Sequence, residues 1–208
     1  MPTRRLALVA PLDEDAEVEW DADGGWCHVA ANHPFAMFAV GQGWRSIPLP
    51  ESYEDGDRAV REWQTLDHTV VRLTLDTIIA VSHVELQGDS IETTEALIRA
   101  AWECGTYADV LSALTHLNTL GATQAERDLR RLAVTGTGEP DTRAVEMIEG
   151  AVRDPRPEVR SAAMTVVQYL KWQELRPSVE EVLRLDPDDV AASSVLFLLD
   201  LMRQTEVG

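Results

Sequence analysis

The chain has 208 residues, and its 36 acidic against 18 basic side chains give a formal net charge of −18. A phosphate backbone is bound through clustered arginine and lysine, so this charge disfavours nucleic acid and anionic lipid and favours a basic protein as the partner. Solubility alone is the other interpretation of such an acidic surface. The chain contains no run of about 18 apolar residues, so no membrane-spanning helix is predicted.

Residues 1–88 are expected to form a small β-rich module. The Asp-Gly and Gly-Gly steps within Asp21–Gly25 predict a hairpin turn, because they tolerate the positive φ angles that such turns require. Short apolar runs and a two-residue alternation of apolar with polar side chains predict strands. The predicted strands are 18–20 and 26–30, on either side of that turn, and 35–40, 68–75 and 77–86. Arg58–Leu66 is expected to form a short helix with Val60 and Trp63 on one side.

Residues 89–208 change to a helical period and are expected to be entirely helical. Leucine, valine and alanine recur at three- and four-residue spacing, and glycine or proline separates the segments. Thr123–Glu126 and Ser178–Glu181 match the capping box, in which a hydroxyl and a carboxylate satisfy free amides of a first helical turn. The predicted helices are 89–105, 107–120, 123–136, 141–153, 156–171, 176–185 and 188–203, with no strand among them. The predicted fold class is therefore α+β.

A short pattern occurs twice near the C-terminus. Asp154–Ala163 begins with Asp-Pro and recurs in degraded form from Asp186, and an offset of 31 residues brings Val159 onto Val190. Self-similarity at such a period is typical of stacked helical arrays. An Asp-Pro start followed by valine and small residues resembles the opening helix of HEAT-like repeats, over about 100 residues of the chain. The resemblance implies a right-handed α-solenoid with a concave binding face, and a plain helical bundle is the alternative.

Residues suited to chemistry are few. Cys27, His28 and His33 are the best candidates for a metal or thiol site, but structural zinc takes four ligands and no fourth is specified. Cys27 and His28 are neighbours on a predicted strand, so their side chains are expected to point to opposite faces. We therefore predict no metal site, no cofactor and no catalytic residue. The second cysteine, Cys104, completes no disulfide framework, which is typical of a reduced cytoplasmic protein.

Candidate partner-binding residues come from two regions. In a HEAT-like array the second helix of each unit usually lines the concave face, and the resemblance places 141–153 and 176–185 there. These helices and the turn after them carry the acidic residues Glu146, Glu149, Glu180, Glu181 and Asp186, which would make the face negative. The loop 41–57 mixes aromatic and acidic side chains, a composition favoured at interface hot spots, in Trp44, Tyr53 and Asp55.

Two functions are consistent with these features. The leading hypothesis is a non-catalytic protein-binding module that acts on a basic protein, as an adaptor, an assembly factor or a toxin-neutralising protein. The alternative is an enzyme or accessory lyase with a site at the junction of the two halves, because clefts between domains often bind ligands. The sequence contains no evident set of acid, base and nucleophile, which favours the first hypothesis.

Overall fold

The computed structural model describes residues 2–8, 33–49, 58–76, 78–136, 140–186 and 188–206, with side chains up to residue 200. Contacts within the chain divide it into two compact units, Met1–Thr106 and Tyr107–Gly208, called unit 1 and unit 2 below. The change of composition in the sequence lies earlier, at Gly88–Asp89. A helix and a short strand between these two positions belong to unit 1.

Unit 1 contains a six-stranded antiparallel sheet in the order β2-β3-β4-β5-β1-β6. The strands are β1 (Thr3–Leu8), β2 (Arg45–Ile47), β3 (Arg58–Gln64), β4 (Val70–Asp76), β5 (Val81–Gln87) and β6 (Cys104–Gly105). The described part of this unit also has two helices, α1 (Pro34–Gly41) and α2 (Ile91–Ala101). The strands predicted at 68–75 and 77–86 correspond to β4 and β5, although residues 78–80 form a turn before β5. The turn predicted at 21–25, with the strands predicted at 18–20 and 26–30, lies outside the described residues.

The segment predicted as a strand at 35–40 is helix α1, so that prediction is wrong. A short apolar run is compatible with a strand or a helix, and here the residues that precede the run favour the helix. Pro34 occupies the first helical turn, where its missing N–H costs nothing. The Nδ1 atom of His33 accepts a hydrogen bond from the amide of Phe35 at 3.1 Å and caps the helix.

The helix predicted at 58–66 is also wrong, because most of this segment forms strand β3. Each residue of β3 pairs with a residue of β4. Two ion pairs join the strands, Arg58 Nε to Asp76 Oδ2 at 2.9 Å and Arg72 to Glu62 at 2.5 Å. Pairing with a distant strand thus outweighs a local helical pattern, as expected where cross-strand contacts supply most of the stability.

One face of the sheet carries the hydrophobic core of unit 1. Successive strand residues point to opposite faces, and those that face this core are mainly apolar. The core includes Leu6, Leu8, Phe35, Trp44, Trp63, Leu73, Leu75, Val84 and Leu86. The ring of Phe35 lies 5.6–6.2 Å, centroid to centroid, from the rings of Phe38, Trp44, Trp63 and Trp102. This residue is therefore central to the packing of unit 1.

The opposite face of the sheet carries a row of alternating charges across four strands. Glu62, Arg72, Glu85 and Arg5 are opposite one another in register. The oppositely charged atoms are 2.5 Å apart between β3 and β4, 3.7 Å between β4 and β5, and 2.7 Å between β5 and β1. On the same face of β5 lies His83, which is 5% exposed, and its Nδ1 has no hydrogen-bond partner in the described structure. Burial, with Arg5 and Arg58 nearby, lowers the pKa of His83 to about 3.

The described residues of unit 2 form three helical hairpins. The helices are α3 (Tyr107–Leu114), α4 (Ala122–Thr135), α5 (Thr142–Val152), α6 (Pro157–Leu170), α7 (Arg176–Leu185) and α8 (Val190–Glu206), with short 3-10 turns at Leu117–Thr119 and Gln173–Leu175. Within the hairpins α3 contacts α4, α5 contacts α6 and α7 contacts α8. Between hairpins, α6 contacts both α4 and α8, and α5 contacts α7. The helices therefore lie in two rows, α4-α6-α8 and α5-α7.

Two details predicted for residues 89–208 are wrong. A strand does occur, because Cys104–Gly105 pairs with β1, but two residues are too few for an alternating pattern to reveal. Neither capping box is formed. Helix α4 begins one residue before Thr123, with Gly121 as its N-cap, and Ser178 is buried inside the first turn of α7. The hydroxyl of Ser178 instead donates to Glu149 on another helix.

The Asp-Pro-Arg motif that begins the repeat connects the first two hairpins. The guanidinium of Arg156 donates to both carboxylate oxygens of Asp154, at 2.8 Å from Nε and 2.7 Å from Nη2. It also donates to the carbonyl oxygens of Leu120, at 2.6 Å, and Leu117, at 3.2 Å, between α3 and α4. In the second copy of the pattern Asp188 replaces this arginine, so the connection is not repeated.

We expect Asp154→Asn to lower the free energy of unfolding of unit 2 by about 1–3 kcal/mol near pH 7, because charged hydrogen bonds to a buried carboxylate are lost. Hydrogen bonds from Arg156 lower the pKa of Asp154 below its ordinary value of 3.8. Because this pKa is lower in the folded state, the ionised carboxylate contributes its full stabilisation at pH values above the unfolded-state pKa. The contribution is lost as the pH falls below about 4. Urea unfolding at pH 7 and at pH 3, followed by far-ultraviolet circular dichroism, measures both effects.

The matched control is Asp188→Asn, at an exposed aspartate in the second copy of the pattern, where the first copy has Arg156. Its effect on the free energy of unfolding is expected to stay within about 0.5 kcal/mol. Equal destabilisation by the two variants would show that the connection through Arg156 contributes nothing specific.

Candidate protein-binding surface

Helices α5 and α7 carry the glutamates predicted to bind a partner, and the two helices contact each other. Glu146 and Glu180 are exposed, whereas Glu149 and Glu181 are half-buried. Asp186 is exposed just after the end of α7. The structure thus brings the predicted acidic residues of two hairpins into one row, although their exposure differs.

Two of these glutamates belong to a network that joins α5 to α7. Arg153, which follows α5, donates from Nε to Glu181 Oε2 at 2.9 Å and from Nη2 to Ser178 Oγ at 3.1 Å. The Ser178 hydroxyl donates in turn to Glu149 Oε1 at 2.9 Å. Ser178 is fully buried, so its hydrogen bonds stabilise the contact between the helices. Glu149 and Glu181 therefore have a structural role.

A third glutamate is paired at the surface. Arg176 donates from Nε to Glu180 Oε1 at 2.7 Å, one turn along α7. Its Nη1 donates to Asp200 Oδ1 at 2.6 Å and joins α7 to α8. Both carboxylates have half-exposed side chains. Such exposed pairs contribute little free energy, but they partly neutralise the charge that a distant partner would meet.

The acidic surface left for a partner is smaller than the sequence suggests. Glu146 forms no hydrogen bond or ion pair with any residue that the structure describes. Among the described residues, the carboxylate of Asp186 accepts only a long hydrogen bond, from the amide of Asp188 at 3.3 Å. These two exposed carboxylates, Glu146 and Asp186, are called the free acidic pair below.

Of the three residues predicted to bind a partner in the N-terminal loop, the structure describes only Trp44. Trp44 is 7% exposed, and its ring centroid lies 5.5 Å from that of Phe38 and 6.2 Å from that of Phe35. Its indole is thus part of the core of unit 1 and is not available to a partner. Tyr53 and Asp55 lie outside the described residues.

A further surface feature was missed in the sequence. Val190 and Phe197 of α8 are 77% and 71% exposed, and Leu185 at the end of α7 is 71% exposed. The opposite side of α8 is buried at Ala192, Val195 and Leu199. The seven-residue spacing of Val190 and Phe197 is visible in the sequence, but the pattern cannot show which side of an apolar helix is covered.

The predicted absence of a metal site concerns three residues, of which only His33 is described. Its imidazole caps α1 and stacks on Trp102, with ring centroids 6.2 Å apart, and burial lowers its pKa. Cys27 and His28 lie outside the described residues. Across the described ranges, no three His, Cys, Asp or Glu side chains are grouped as metal ligands would be.

Comparisons with models of protein families, with curated proteins and with solved structures each found no match. The resemblance to HEAT-like repeats therefore stays a prediction. Within the part of the chain that the structure describes, every helix is too short or too polar to cross a membrane.

Proposed function

We propose that unit 2 is a short HEAT-like helical array and that the protein is a non-catalytic module that binds a basic protein. The observation that carries the proposal is the arrangement of three hairpins whose helices contact one another in two rows. Repeat proteins use such continuous rows as extended binding surfaces. The 31-residue repeat supports the same assignment, because it aligns α6 with α8, two neighbours in one row.

The charge of the protein supports a cationic partner. A net charge of −18 creates a field that attracts a positive surface and raises the association rate, with an effect that salt screens. On the row formed by α5 and α7, the free acidic pair supplies carboxylates without an arginine partner. We propose the cytoplasm as the compartment, where a cysteine thiol such as that of Cys104 would remain reduced.

The test begins with the immobilised full chain and a cell extract at low salt. A basic protein should be retained and then released as the salt concentration rises past about 0.15 M. With that protein, Glu146→Gln combined with Asp186→Asn should slow association about three- to tenfold, because carboxylates close to the contact dominate steering. Surface plasmon resonance at low and high salt measures the association rates.

The matched control combines Glu158→Gln with Glu174→Gln. It removes the same charge from exposed positions outside α5 and α7, and association should slow less than twofold. Equal slowing by both double variants would contradict the assignment of the partner to this row. Recovery of a stoichiometric small molecule or metal, with no basic protein, would favour the enzyme hypothesis.

A further inference from the structure

Helix α8 has one packed side and one bare side. The packed side contacts α6 and α7 through Ala192, Val195 and Leu199, at the spacing of one helical stripe. The bare side, called the outer stripe of α8 below, consists of Val190, Ser193, Ser194 and Phe197, all of which are exposed. These residues recur at three- and four-residue spacing, so they lie on one line over two turns.

The outer stripe carries a large apolar side chain at each end, Val190 and Phe197. Burial of a valine or phenylalanine side chain stabilises a fold, and the exposed Val190 and Phe197 forgo most of that stabilisation. No charged residue separates them. The Ser194 hydroxyl donates to the carbonyl oxygen of Val190 at 2.8 Å, so it needs no external hydrogen-bond partner. Small serines between two large apolar side chains leave room for another chain to approach.

The internal repeat aligns the outer stripe of α8 with buried residues of α6. At the 31-residue offset, the outer stripe of α8 aligns with Val159, Ala162, Ala163 and Val166 of α6. Those four residues are at most 1% exposed, because α6 lies between α4 and α8 in its row. The aligned positions are thus buried against helices in α6 and bare in α8. In the same register the buried Ala192 and Leu199 of α8 align with the exposed Ser161 and Gln168 of α6, so the two helices pack through different sides. A straight stripe two turns long matches the apolar side of another helix.

The charges around the stripe indicate the chemistry of that helix. From Arg176 to Asp200 the chain carries six carboxylates and two arginines. Asp186 and Asp188 are exposed in the turn that leads into Val190. A second copy of this chain would bring another net charge of −18, and the two would repel each other. A helix with basic side chains meets no such repulsion.

We infer that the outer stripe of α8 binds an amphipathic basic helix of the partner protein, with its apolar side on Val190 and Phe197 and a lysine or arginine near Asp186 and Asp188. This inference rests on the proposed function and adds the outer stripe of α8 to the binding surface, with Asp186 shared between the stripe and the free acidic pair. It uses the mode in which an amphipathic helix lays its apolar face on an exposed apolar surface.

The test uses a synthetic leucine–lysine peptide of about 18 residues, designed as an amphipathic helix, and the full chain at about 0.05 M salt. Fluorescence anisotropy of the labelled peptide measures affinity, and amide chemical shifts locate the contact. Phe197→Ser should weaken binding about tenfold, because a large apolar side chain at the centre of a contact carries much of the affinity. Met37→Ser, at a 68% exposed residue of unit 1, is the matched control and should leave the affinity unchanged.

A second pair of variants tests the charges. Asp186→Asn combined with Asp188→Asn should weaken peptide binding about threefold at low salt and not at all near 0.5 M salt, where the Debye length is only a few Å. Because Phe197 is already exposed, its replacement should leave the circular dichroism spectrum unchanged.

Three outcomes would overturn the inference. If Phe197→Ser binds the peptide like the wild type, the stripe is not the site, although binding through other carboxylates would leave the proposed function standing. If the wild type fails to bind the peptide even at low salt, the inference falls, whereas the proposed function falls only if no basic protein is retained by the immobilised chain. If light scattering shows a dimer that Phe197→Ser dissociates, the stripe binds a second copy of this chain.

Discussion

Phe35→Ala is expected to lower the free energy of unfolding of unit 1 by about 3–5 kcal/mol, the usual cost of truncating a buried phenylalanine. Phe35 is fully buried, and it contacts four other aromatic rings. The truncation removes apolar contacts and leaves a cavity, since neighbouring rings cannot all move into the space. Denaturant unfolding followed by tryptophan fluorescence measures the loss, because Trp44, Trp63 and Trp102 lie in the same cluster.

Met37→Ala is the matched control, because it lies on the same helix at a 68% exposed position. Its effect on the free energy of unfolding should be below about 0.5 kcal/mol. The pair also tests the secondary structure. In a strand residues 35 and 37 would share a face, so both variants would destabilise unit 1 if the segment were extended. Similar losses in the two variants would therefore contradict helix α1.

Unit 1 is expected to lose stability as the pH falls from 6.5 toward 3, through His83. The pKa of this buried histidine is lowered from 6.5 to about 3, first by burial and then by Arg5 and Arg58. Below pH 6.5 the unfolded chain therefore binds a proton that the folded chain does not. The stabilisation is complete above pH 6.5 and declines by about 1.4 kcal/mol per pH unit below it. Between pH 6.5 and 5 this amounts to about 2 kcal/mol.

The variant His83→Gln isolates this contribution, because glutamine does not titrate. The free energy of unfolding of unit 1, measured by urea titration at several pH values, should fall less steeply in the variant than in the wild type. The pKa of His33 is also lowered by burial, so part of the slope should remain. His68→Asn is the control, since His68 is exposed and its φ of 66° suits asparagine. A wild-type slope in His83→Gln would disprove the assignment.

Local sequence patterns determined most of the helical half. The helix predicted at 176–185 is α7 with the same bounds, and the one predicted at 141–153 is α5 to within one residue at each end. Helical hydrogen bonds join residues four apart, so the apolar period and the flanking glycines and prolines are sufficient signals. Strands β4 and β5 could be predicted from the sequence for a similar reason, because their apolar and polar residues alternate.

The secondary structure of two short segments was predicted wrongly, because contacts with residues outside each segment determine it. Phe35–Val40 is apolar all round, so neither a helical nor an alternating period distinguishes its structure. Arg58–Gln64 has apolar residues at helical spacing, yet its hydrogen bonds go to β4. In both cases the outcome depends on a cap or a partner strand, and propensity is too weak to outweigh them.

For the candidate binding surface, too, some features are local in the sequence and others depend on tertiary packing. The sequence by itself determined which side chains are acidic and which helices carry them, because composition and helical period are local properties. Only the tertiary structure decided that Glu149 bonds to Ser178, 29 residues away, and that Phe197 is bare while its repeat counterpart Val166 is buried. Pairing and burial depend on which helices become neighbours in a row. That is a property of packing between distant segments, so the positions available to a partner appear only in the folded chain.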